Sequence, residues 1–322
     1  MAKKKKQPSK AQKLSDYQQN IPNAPTLFRL KNLDLQTQLL VRKATDKLKP
    51  ILWIRDGRSV KKIGAAQTPE ELMDLIPIAS GLAEDAWFDR MRTFGSEEVL
   101  PLVYRSLSHA REIEDEDLQD MLTETLILEL RWRGEEGGKI LLDCFDDLSD
   151  YGKCLACVVF GLIGVQTSRA KIWRFYRQAF KNRHESNLVG ALWGLIDLKD
   201  PRAAGALAEL LTRRMFINEL FGFLSLAGDR DSIVPLLEIS TRLPEEDRMA
   251  SMMAMISIAH RIGREALAEE IKRAAEGEAS IKDYKALADI ILSKPASYAE
   301  EYFESFYRGF SPDDVANALS KI

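Results

Sequence analysis

Histidine and cysteine are scarce in this chain, three of each in 322 residues. Cys144, Cys154 and Cys157 are too few to staple a chain of this length as a disulfide framework. His109, His184 and His260 lie far from one another and from the cysteines, so no metal-ligand spacing is present. Long apolar runs are missing as well. The longest, Cys154 to Val165, has twelve residues, short of the roughly eighteen that a membrane-spanning helix needs. The N-terminus is charged but no apolar stretch follows it, which excludes a secretory signal and makes the cytoplasm the expected location. G-x-S-x-G, H-E-x-x-H and G-x-G-x-x-G do not occur. The stretch Gly134–Ile140 resembles a phosphate loop only superficially. One residue too few separates Gly134 from Gly138-Lys139, Ile140 stands where a magnesium-binding hydroxyl belongs, and no strand precedes. No catalytic residue, cofactor or metal is therefore expected.

What is present is a globular balance of 45% hydrophobic and 30% charged residues. The charge is unevenly spread. Residues 1–62 hold sixteen Lys or Arg against four Asp, a balance of +12, so with −3 overall the remainder carries −15. Such asymmetry fits an anionic partner for the front of the chain, or docking of that front on the acidic remainder. The first thirteen residues, MAKKKKQPSKAQK, contain six lysines and no acid. They lack the apolar side chains that would offset the entropy of ordering, so residues 1–20 are expected to be a disordered basic tail. Two roles stay open for it: solubilisation, or electrostatic tethering to a polyanion. Residues 21–66 read as a basic, helical or irregular arm, and 67–322 as a helical domain.

Helix signals recur from Gln67 onward. Thr68-Pro69-Glu70-Glu71 reads as a cap, a proline at the first helical position and two acids in the first turn. Ser96-Glu97-Glu98 and Ser311-Pro312-Asp313-Asp314 open further helices. Cys157-Val158-Val159-Phe160 has strand-like composition but sits inside a longer apolar segment, so it is assigned to a helix. The units themselves repeat. Leu192-Trp193-Gly194-Leu195-Ile196 leads through Lys199-Asp200-Pro201-Arg202 into a second helical run, and Phe223–Ala227 leads through Gly228–Asp231 into another. Related crossings occur at Arg133–Gly137, Gly164–Ser168 and Ile258–Gly263. Each unit is an apolar helix, a tight polar turn and an amphipathic helix, at a period typical of helical repeats.

GLIDLKDPRAAGALAELL and GDRDSIVPLL resemble HEAT repeats, in particular the short form named after phycobilisome lyases, across roughly residues 155–275. The resemblance implies an all-α, right-handed superhelical solenoid of the HEAT or armadillo kind. The residues give part of the reason: Asp200 is placed to cap a helix, Pro201 suits its first position, and Ala203 and Ala204 permit close approach. The fold is nearly silent on activity, because such solenoids host scaffolds, adaptors, lyases and glycosylases. No catalytic motif of those enzymes is matched. Trp193, Leu195, Leu207 and Leu210 are expected in the core between units.

Several constellations are candidates for function. Within Arg169–Arg183, helical spacing puts Ile172, Trp173, Tyr176 and Phe180 on one face and Lys171, Arg174, Arg177 and Lys181 on the opposite arc. In HEAT-like arrays the second helix lines the concave surface, so the resemblance implies four cations there, extended by Arg213 and Arg214. That patch suits an acidic protein surface. A second electrostatic set comprises Lys3, Lys4, Lys5, Lys6, Arg55, Arg58, Lys61 and Lys62, which would track nucleic-acid phosphates, although no aromatic side chains interleave with the tail lysines. Near the C-terminus Tyr298, Tyr302, Phe306 and Phe310 form a stripe at four-residue spacing, fit for a terminal cap or an aromatic groove. Cys154 and Cys157 share a helix face but have apolar flanks, so core packing is expected of them. The expected function is a non-enzymatic scaffold or adaptor for another protein; binding of nucleic acid through the basic N-terminal arm and the basic helix 169–183 is the alternative, a lyase or DNA glycosylase of HEAT-like fold is the third reading, and membrane binding is not expected.

Overall fold

The computed structural model describes residues 56–215, 219–240, 242–275 and 281–307. Those up to Tyr302 belong to one compact unit, and the residues from Phe303 belong to a second. Every regular element among the described residues is helical. Residues 56–65 are helical (α1), followed by α2 (Pro69–Met73), α3 (Leu82–Met91) and α4 (Ser96–Ser108). Pairs of helices then repeat: α5 (Glu116–Trp132) with α6 (Gly134–Cys144), α7 (Asp150–Ile163) with α8 (Arg169–Asn182), and α9 (Glu185–Asp197) with α10 (Ala203–Thr212). The series continues with α11 (Leu220–Ala227) and α12 (Ile233–Ser240), then α13 (Glu245–Ile262) and α14 (Arg264–Ala274), then α15 (Ile281–Leu292) and α16 (Ala296–Tyr307). The segment containing Cys157–Phe160 is helical, within α7.

The principal packing joins the second helix of one pair to the first helix of the next, as α8 on α9 and α14 on α15, and each first helix to the first helix of the following pair. The helices α5, α7, α9, α11, α13 and α15 thereby form a continuous row. Helices α7 and α9 approach one another closely, and small residues make it possible. A Cβ on Gly190 would overlap Cys154, one on Gly194 would overlap the Cys157 carbonyl oxygen, and one on Gly161 would lie 3.1 Å from the Gly194 Cα. Trp193, Leu195, Leu207 and Leu210 are all buried, as their spacing predicts. Among the second helices, α4 packs on α6, α10 on α12 and α12 on α14. Helix α8 instead reaches its neighbours through long side chains. Locally, then, the first-helix side is the tighter one and the second helices are splayed around α8.

The last carbonyls of a helix have no partner within it, and in this fold cations from other elements repeatedly supply one. Arg261 donates to the Ser225 carbonyl at 2.8 Å and the Leu224 carbonyl at 3.1 Å, at the end of α11. Arg169 serves the Leu198 carbonyl after α9, and Arg111 serves Leu148. Arg133 reaches the Met91 carbonyl at 3.3 Å, and the same terminal nitrogen together with Nε holds the buried Glu129 at 2.8 Å.

One helix start differs in detail from the sequence reading. Thr68 caps α2 as expected, accepting from the Glu71 N–H at 3.2 Å with Pro69 at the first position. Helix α4 likewise opens at Ser96 as expected, with Gly95 as its cap, whose N–H donates to Glu98 at 3.1 Å. Asp200 holds the turn before α10 rather than the helix itself. It accepts from the Arg202 N–H at 3.0 Å, from Arg202 Nε at 2.9 Å and from Trp173 Nε1 at 3.0 Å. The helix begins only at Ala203. The start expected at Ser311 lies outside the described residues.

Candidate functional site: a basic edge at α8 and α10

The amphipathic pattern of Arg169–Asn182 folds as α8, with Ile172, Trp173, Phe175 and Tyr176 buried and Phe180 half-buried. The rings form a ladder. Trp173 and Tyr176 meet edge to face at 5.2 Å, and Tyr176 stacks on Phe180 at 5.8 Å. A guanidinium closes each end of the ladder. Arg202 lies 4.8 Å from the Trp173 ring, and Arg213, following α10, lies 5.2 Å from the Phe180 ring. This ladder seats α10 beside α8 and brings their C-terminal ends together. The Tyr176 hydroxyl is buried without a hydrogen-bond partner among the described residues, and burial, with Glu209 beside it, pushes the phenol above its usual range.

The six expected cations divide into three kinds. Lys171 does not project outward as the helical spacing implies. Its ammonium is drawn back onto α6, donating to the Leu142 carbonyl and to Asp146 at 2.9 Å each. Arg174 is exposed but pairs with the same Asp146, and these hydrogen bonds hold the Asp146 carboxyl below its ordinary range. Arg213 pairs with Glu209 at 2.9 Å. Arg177, Lys181 and Arg214 are exposed, and among the described residues no hydrogen bond or ion pair engages their side chains. One further member escaped the sequence reading: Arg183, exposed at the end of α8.

Arg183 and Arg214 both sit at a helix terminus with φ of 53°, the left-handed conformation that glycine adopts most cheaply. The turn at each is closed by backbone bonds of 2.9 Å, His184 N–H to Ala179 O and Met215 N–H to Leu210 O. Lys199 closes α9 in the same way, also at φ 53°. A cation at a helix C-terminus complements the dipole. At Arg183 and Arg214 it does so at the ends of α8 and α10, which the Arg213 guanidinium links by lying 5.2 Å from the Phe180 ring.

The remaining expectations are distributed as follows. Arg58, Lys61 and Lys62 are exposed on α1, whereas Lys3, Lys4, Lys5, Lys6 and Arg55 lie outside the described residues. Tyr298 is 46% exposed and Tyr302 half-buried, while the Phe306 side chain and Phe310 also lie outside. Cys144, Cys154 and Cys157 are buried. Burial pushes the Cys154 thiol up to about 12 and raises Cys157 well above its usual value, which disfavours the thiolate needed for metal binding or redox chemistry. A surface feature that the sequence did not announce is Trp132, 60% exposed, with the Arg92 guanidinium 3.9 Å from its ring. No described helix is long and apolar enough to cross a membrane.

Comparisons with protein-family models, with curated proteins and with solved structures gave no match.

Proposed function

We propose that the chain is a non-enzymatic interaction scaffold: a HEAT-like, right-handed α-solenoid that holds an acidic surface of another protein on the second-helix side of α8 and α10. The observation that carries this reading is the group Arg177, Lys181, Arg183 and Arg214, four exposed cations without a carboxylate partner among the described residues, in a chain whose net charge is −3. The aromatic ladder supports it by fixing the helix ends that bear these groups, so little ordering entropy is left for binding to overcome. The paired cations Lys171, Arg174 and Arg213 flank the edge and secure it to the neighbouring helices.

Nucleic-acid binding is the second reading, favoured by Arg58, Lys61 and Lys62, which stand exposed and unpaired among the described residues of α1. Capture from a lysate of the source cells on the immobilised full chain separates the two. The scaffold reading expects one stable protein partner that is lost from an Arg177→Glu/Lys181→Glu variant. Recovery of nucleic acid that a high-salt wash removes, with no protein retained, would replace it by the second reading.

A further inference from the structure

The structure assigns a second, separate site to the groove where the end of α12 faces the first half of α13: a pocket for an unbranched aliphatic chain ending in a carboxylate. The groove has a volume of about 500 Å³ and is lined by Ser240, Arg248, Ser251, Met252 and Met255, a size within the ordinary range for small-molecule sites. Four of these residues recur along one face of α13, which places a polar end and an apolar end within two helical turns of each other.

The polar end holds donors in search of an acceptor. Ser251 is 0% exposed, and its hydroxyl has no hydrogen-bond partner among the described residues. A buried hydroxyl left in this state destabilises a fold unless something outside it completes the bond. Arg248, one turn earlier, is anchored by Nε donating to the Leu243 carbonyl at 2.7 Å. That bond fixes the guanidinium plane, and its terminal nitrogens carry no ion pair or hydrogen bond among the described residues. Ser240 spends its proton on the Leu237 carbonyl at 2.9 Å. A fixed guanidinium and a free hydroxyl three residues apart suit the two oxygens of one carboxylate.

The apolar end is made of thioethers. Met255 is buried, and Met252 is 47% exposed although it lines the same groove. Methionine is flexible and polarisable, so it fits itself around a linear chain and closes over it. A cationic head group would meet Arg248 in repulsion, and a neutral one would leave the guanidinium unpaired.

Calorimetric titration of the full chain with decanoate, below its micellar concentration, tests this, with decanol and decyltrimethylammonium as comparison ligands. Decanoate is expected to bind saturably at one site and at least tenfold more tightly than either comparison. Arg248→Gln should remove most of that preference. Ser251→Ala should raise Tm, because the orphaned hydroxyl is gone, and at the same time weaken decanoate severalfold. Met252→Asp, a change at an exposed position, should abolish binding in a protein that melts normally. Absence of saturable decanoate binding, equal binding of decanol, or unchanged affinity in both Arg248→Gln and Ser251→Ala would overturn the assignment. None of these outcomes bears on the basic edge of α8 and α10, which lies on other helices.

Discussion

At the scale of single residues, the protonation of two carboxyl groups pulls stability in opposite directions. Glu84, on α3, is pushed up to about 7 by burial, with Glu124 and Asp85 adding like-charge repulsion. In the unfolded chain a glutamate releases its proton near about 4.3. Between those values the native state binds more protons than the unfolded one, so stability falls as pH rises through the interval. Glu84→Gln should therefore match the parent in Tm at low pH and exceed it by a margin that grows up to about pH 7; a margin independent of pH would contradict the assignment. Asp200 runs the other way. Its hydrogen bonds, chiefly from Arg202, hold it well below the usual carboxylate range, so its contribution is present at neutral pH and lost as pH falls. Neither shift was legible in the sequence. Asp200 was singled out only as a helix cap, and Glu84 becomes notable only once α5 brings Glu124 beside it. The buried residues of the repeat, such as Leu207 at 0% exposure, were legible because helical spacing alone marks an inward face.

At the scale of elements, glycine and its substitutes decide how the helices meet and end. Gly194 and Gly205 both lie inside helices, where alanine is favoured over glycine by about 1 kcal/mol. A Cβ at Gly194 would overlap a backbone carbonyl of α7, while one at Gly205 would meet nothing within 4 Å. Gly205→Ala should accordingly stabilise by about 0.5–1 kcal/mol, and Gly194→Ala should destabilise despite its better propensity. Denaturant midpoints for the pair would check both signs in one experiment. Arg214 occupies a left-handed position, where glycine is easier by about 1–2 kcal/mol. Arg214→Gly is expected to raise stability and to weaken capture of the proposed acidic partner; a variant with lower stability would mean that the side chain is needed for the fold itself. The helix-pair pattern was visible in the sequence because each apolar helix, turn and amphipathic helix recurs. The side-chain links were not visible. Lys171 turns back to Asp146 because the end of α6 lies within its reach, and no helical wheel of α8 alone contains that acid.

At the scale of the whole molecule, the governing quantity is the separation of charge. An acidic chain, with the net charge of −3, keeps a set of exposed cations, without a partner among the described residues, on and just after α8 and α10. Exposed charges at such positions change folding stability by no more than about 0.5 kcal/mol, yet they dominate the rate and salt dependence of association with a partner of opposite sign. Arg177 and Lys181 are the pair on which the account rests, because Arg174 already has Asp146 and reversing it would set two carboxylates against each other. The most direct test is quantitative capture of the proposed protein partner by the full chain and by Arg177→Glu/Lys181→Glu, at low and at physiological salt, with the melting of both proteins recorded. The account predicts unchanged Tm, capture reduced at least tenfold in the variant, and a salt dependence that largely disappears with it. Equal capture by two equally folded proteins would contradict it.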